Sequence, residues 1–176
     1  MTIQSFDPGP DGAFARACVS CLGDGSGLRI HEADYATLPM GPFTWMKPYD
    51  ALVIEKCVCY GRVVGASVFD TMFTAGRILQ SWQHDAGNAY LIPNPDWRAC
   101  LCGFRQAKAK DVRARLIELF PGGIGTPMAP GPLFAIRGKT GEHVADAIGL
   151  AVAFLRWKQE TGKDVEMYRY PETPHE

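Results

Sequence analysis

The stretch 51-ALVIEKCVCYGRVVGASVFDTMFTAGRILQSWQ-83 decides the fold. Ala51, Leu52, Val53 and Ile54 form an unbroken apolar run of strand formers, the pattern of a strand covered on both faces in an α/β sheet. Glu55 closes that strand. Open α/β sheets hold their ligands beyond the carboxyl ends of the strands, so an acid emerging there is well placed for chemistry; a half-exposed strand-end glutamate is the ordinary alternative. After a turn, Val64, Val68, Met72, Ala75, Leu79 and Trp82 recur at spacings of three and four. They predict a long helix with one apolar stripe packed against the sheet.

Upstream, TIQSFDPGPDGAFARACVSCL reads as two strands joined by a tight turn. Ile3 and Phe6 lead to Asp7, the run Pro8-Gly9-Pro10-Asp11-Gly12 supplies the turn chemistry, and an extended run resumes at Ala13. Asp7 therefore ends the first strand, a position an Asx turn would also explain. A polar turn at 23 to 27 leads into a third strand from Leu28, completing a β-meander. Residues 37 to 49 hold three prolines and several aromatics without a period, and are expected to form a loop packed by its aromatics.

Downstream, Ala89 to Ile92 form a short strand, and Asp96 is a candidate helix N-cap. The segment from Trp97 to Phe120 carries the main basic concentration of the chain, including Arg98, Arg105, Lys108 and Lys110. A solvated helix face is its ordinary explanation. The Gly/Pro-rich stretch from Pro121 to Gly141, with Arg137 and Lys139, is an irregular loop that is long for a compact domain. A last helix from about Glu142 to Glu160 has Val144, Ile148, Ala151 and Leu155 on one stripe. His143 and Asp146 share a face near its start. Gly162 ends it, which divides the chain into a domain at 1–162 and a polar tail at 163–176.

At 176 residues, 47% of them hydrophobic, the chain can bury the core of one substantial domain. Its net charge of −1 excludes a generally basic nucleic-acid binder, so any DNA site must be a local patch. No apolar run is long enough to span a membrane and no signal pattern opens the chain, so a cytosolic protein is expected. The cysteines come in close pairs, mostly within apolar runs. Without a standard zinc spacing they read as reduced thiols.

Asp7, Glu55 and Asp146 with His143 all fall at element ends that can converge on one edge of a sheet. Carboxylates bind hard divalent cations, and paired ions activate water and stabilise the leaving oxygen in phosphodiester hydrolysis. With these residues in place the sequence resembles the RuvC-type Holliday-junction resolvases. SFDPGPDGAFA is similar to their first motif, VIEKCVCYG with VGASVFDTMFTAGRILQSW to the second motif and its helix, and HVADAIGLAVAF to the closing motif. Phage-encoded members, which carry a basic segment like LCGFRQAKAKDVRARLIELF, are the most similar.

That resemblance implies a ribonuclease H-like α/β fold, with a mixed five-stranded sheet, its first three strands antiparallel, and helices on both faces. It implies a magnesium-dependent, usually dimeric endonuclease for branched DNA, leaving a 5′-phosphate and a 3′-hydroxyl. Asp7, Glu55, His143 and Asp146 would hold the ions. His143 stands where many relatives carry an acid, which favours manganese more than usual. Arg105, Lys108, Lys110, Arg137 and Lys139 would meet DNA phosphates. Phe69, Phe73 and Trp82 are candidate dimer contacts, and Phe69, Phe73 and Tyr60 could alternatively stack into an open junction. Two rivals remain: a nucleotide-binding relative of the actin and Hsp70 type, and a catalytically silent DNA-binding or dimerisation module. The first needs two such domains; the second would be expected to lose an acid.

Overall fold

A computed structural model describes residues 1–22, 27–38, 49–58, 65–82, 88–137, 140–160 and 168–169. Five strands, β1 (Thr2–Pro8), β2 (Ala13–Cys21), β3 (Leu28–Thr37), β4 (Ala51–Lys56) and β5 (Ala89–Pro93), form one sheet in the order β3-β2-β1-β4-β5. β1 to β3 are antiparallel neighbours, whereas β4 and β5 run parallel to β1. The tight turn between β1 and β2 holds Asp11 and Gly12 at φ of 57° and 74°, left-handed values that Asp and Gly tolerate best.

Among the described residues four helices flank the sheet: α1 (Ala66–Ser81) on one face, and α2 (Asn94–Cys102) and α4 (Gly141–Glu160) on the other, with α3 (Ala109–Leu119) packed on α4 and α2. α4 is the spine of the larger core. It lies across β1 and β2 and against α2 and α3, and every residue from Ala147 to Leu155 is buried. Ser5 Oγ, buried on β1, donates to the Ala147 carbonyl at 2.7 Å and fixes the height of α4 over the first strand. Close packing of α2 and α3 onto α4 depends on Gly149. A Cβ there would lie 3.0 Å from each of Leu101, Trp97 and Val112.

Several expectations change at this level. The buried side of α1 is Thr74 and Ile78, continued by Trp82 at its C-cap, whereas Met72 is half exposed. Met72 and Thr74, two apart, lie on opposite sides of a helix. Ala75, Leu79 and Trp82 of the expected stripe do pack against the core on this face, with Thr74 and Ile78 at its centre, and Met72 is the member that turns away from it. Thr74 can be buried because its hydroxyl donates to the Asp70 carbonyl at 2.9 Å. Trp82 belongs to the core and is unavailable for a subunit contact.

The basic segment is two helices rather than one, because Gly103 takes φ 86° and ends α2. Asp96 is not the N-cap; Pro93 is, and Asp96 lies within the first turn. The Gly/Pro stretch after α3 is anchored by a 3-10 turn at Phe134–Arg137, with Leu133 and Ile136 fully buried. In the segment expected as a tail, Tyr168 and Arg169 dock on the domain: Tyr168 donates to Asp96 at 2.9 Å and Arg169 bridges to Tyr90 of β5. The expected aromatic loop falls mostly outside the described residues, as do Cys59, Tyr60, Val64 and Lys139. The described cysteines are free thiols.

Candidate active site

Strand register brings the first two acids together. Phe6 of β1 pairs with Ile54 of β4, so the next residues, Asp7 and Glu55, sit side by side on adjacent parallel strands. Side chains alternate along a strand, and Ile3, Ala51 and Val53 all enter the core beneath α4. Asp7 and Glu55 share that parity and face α4. The start of α4 supplies the other two groups. His143 Nδ1 lies 2.8 Å from Asp7 Oδ2, and Asp146, one turn further on, is nearly as buried as Asp7. The four residues singled out from sequence thus meet at one end of the sheet.

Each acid is held by a protein donor. Asn94 Nδ2 donates to Glu55 Oε1 and Oε2 at 3.0 and 3.1 Å, and Trp97 Nε1 donates to Oε2 at 2.9 Å. Arg98 donates to Asp146 Oδ2 at 2.7 Å and to the Ala107 carbonyl at 2.8 Å. Sequence reasoning missed the roles of Asn94 and Trp97 and left Arg98 among general basic residues. Positions 94, 97 and 98 lie on one helical face, but nothing in the sequence says that this face meets the acids.

The charges are poorly compensated. Burial, then the nearby Asp7, push the Glu55 carboxyl up to about 7, against the opposing hydrogen bonds from Asn94 and Trp97. Burial likewise lifts Asp146 to about 6, although Arg98 is bonded to it; desolvation outweighs the ion pair. His143 is raised by its hydrogen bond to Asp7. Asp146 Oδ1 is buried with no hydrogen-bond partner among the described residues. Among those residues no three Asp, Glu, His or Cys side chains close into a ready-made metal cage.

The donor set nevertheless fits a hard divalent cation. It offers three crowded carboxylates, one with an orphaned oxygen, and their mutual repulsion is relieved by positive charge placed among them. His143 is the softer donor of the set.

Of the expected DNA contacts, Lys108, Lys110 and Arg137 are exposed. Arg105 is exposed too, but bonds Asp96 at 2.6 Å. Lys108 precedes α3 as its N-cap, with its backbone N–H bonded to Asp111 at 2.8 Å.

The sheet order, the three antiparallel strands and the helix crossing them define a ribonuclease H-like fold. Solved structures agree. RuvC of Thermus thermophilus superposes with a TM-score of 0.61 at 16% identity over 92% of this chain and 98% of that one. The same protein in complex with Holliday junction substrate gives 0.62 at 16% identity, over 90% of this chain and 95% of that one. The Fowlpox virus resolvase with substrate Holliday junction DNA gives 0.54 at 13% identity, over 91% of this chain and all of that one. No family model matches the chain, and no curated protein matches it by sequence.

Proposed function

We propose that this chain is a divalent-metal-dependent endonuclease that cuts branched DNA, Holliday junctions foremost. The observation that carries the reading is the convergence of Asp7 and Glu55 from adjacent strands with Asp146 and His143 from α4, in a fold it has in common with junction resolvases. Asp7, Glu55, Asp146 and His143 would hold the ions, magnesium or manganese. When bound, these lower the pKa of water and offset charge on the phosphate and the leaving oxygen.

The chain's own groups do the rest. Asp7 lies between Glu55 on the neighbouring strand and His143 above it, and so orders the cluster. Arg98 holds Asp146 by one oxygen and leaves the other open. Water adds to phosphorus, the bond from phosphorus to the 3′ oxygen breaks, and that oxygen takes a proton, leaving a 5′-phosphate and a 3′-hydroxyl. Lys108, Lys110 and Arg137, with Arg105 and Lys139, would contact the DNA backbone and fix its position without reading sequence. A homodimer would present two such sites to the two equivalent strands of a junction.

The test incubates purified protein with end-labelled four-way junction, flap and linear duplex in magnesium and in manganese. Paired symmetric cuts in the junction, lost in Asp7→Asn, Glu55→Gln and Asp146→Asn, are expected. Junction binding without cleavage in either metal would favour the silent binding module instead.

A further inference from the structure

We infer that Asn94 and Trp97 are positioning residues that set how Glu55 meets a metal ion, an inference that rests on the nuclease reading. Glu55 emerges from the end of β4 beside β5, and the chain passes directly from β5 into α2. Asn94 is the first residue of that helix and Trp97 is one turn on, so both point from the same face at the Glu55 carboxylate.

Their three hydrogen bonds divide unequally. Oε2 accepts from both residues, whereas Oε1 accepts only from Asn94. Asn94 Nδ2 sits astride the carboxylate and shares its N–H between the two oxygens, whereas the Trp97 N–H bonds Oε2 alone, so Oε1 is the less engaged oxygen. Glu55 is therefore presented as a one-oxygen ligand through Oε1. Without these donors it could turn away from Asp7, whose charge repels it.

The clamp is rigid. Trp97 is fully buried and its ring packs beside Gly149 of α4, so the indole N–H cannot follow a moving carboxylate. Strand end, helix start and spine thus fix one rotamer of one ligand, the arrangement that partners of metal-binding carboxylates provide elsewhere.

Trp97→Phe removes the N–H and keeps an aromatic ring, while Asn94→Leu removes the fork at similar size. Cleavage at saturating magnesium is expected to fall roughly 10- to 100-fold in each, with a higher magnesium requirement. Junction affinity in calcium should stay at the wild-type value, separating positioning from binding. A second readout needs no cleavage. The indole N–H resonance of Trp97, identified among the chain's four tryptophans by its loss in Trp97→Phe, should shift saturably with magnesium, and much less in Glu55→Gln.

Wild-type cleavage and magnesium midpoints in folded variants, or an indole resonance that ignores magnesium to saturation, would overturn the inference. If Trp97→Phe does not fold, Asn94→Leu and the resonance decide. If the wild type cuts no DNA while the resonance still responds and Asn94→Leu weakens magnesium binding, the nuclease reading fails and the clamp stands.

Discussion

Glu55 carries the largest electrostatic cost described in the site. Its carboxyl ionises near 7 rather than 4.5 because burial and Asp7 both oppose its charge. A raised carboxyl pKa means that the folded state binds the proton more tightly than the unfolded one. Metal-free stability is therefore highest below the unfolded value and falls as pH rises towards about 7, with Asp146 adding a similar loss up to about 6. Glu55→Gln should accordingly stabilise the metal-free protein at pH 8 by roughly 1–2 kcal/mol while abolishing cleavage, the trade expected of a strained functional group. Melting in a chelator checks this, and a lower melting temperature for the variant would refute the account. His143 supplies a second test. Its hydrogen bond to Asp7 keeps it protonated to higher pH than an ordinary histidine, and a protonated imidazole binds no metal. The wild type should cleave faster in manganese than in magnesium, and its magnesium requirement should fall as pH rises. Metal titrations of His143→Asp should find the manganese advantage narrowed; an unchanged advantage and requirement would remove His143 from the ligand set.

Elements were legible where a local pattern meets no competitor. β4 reads from four apolar residues in a row, and α4 from a stripe that proves to be part of an almost wholly buried helix. Asp7, Glu55, His143 and Asp146 were anticipated as neighbours at one sheet edge because element ends are visible in sequence and the motif resemblance named the same residues. Asn94, Trp97 and Arg98 were not, because their roles depend on how far α2 leans over β4, and Gly149 governs that approach from a distant part of the chain. Gly149→Ala should push Trp97 and Leu101 outward and destabilise by about 1–3 kcal/mol, read as a lower denaturation midpoint. Wild-type stability would mean that the packing there is loose. On α3, Lys108→Glu with Lys110→Glu should weaken junction binding and lower the log–log salt slope by roughly two, one for each phosphate that is no longer neutralised. An unchanged slope would leave α3 as a solvated surface.

At the scale of the whole molecule, a net charge of −1 leaves little general attraction for DNA, so the proposed junction binding would have to rest on local basic groups and on pairing of two copies. α1 carries the feature that suits a pair of copies. Phe69, Met72 and Phe73 are 60%, 50% and 69% exposed and occupy i, i+3 and i+4 positions on one side of the helix. Large side chains clustered and exposed in this way mark an interaction surface more often than a solvent face. The core uses the other side of α1, through Thr74 and Ile78, so this surface can be altered without unfolding the domain. Phe69→Glu combined with Phe73→Glu should keep the wild-type melting temperature. If the wild type is the proposed homodimer through this face, the variant should be monomeric by light scattering at concentrations where the wild type pairs, because facing copies would set four buried carboxylates against one another. Cleavage should then change from paired cuts to single nicks on one junction strand at a time. A double variant that remains dimeric and still makes paired symmetric cuts would show that the two copies meet elsewhere.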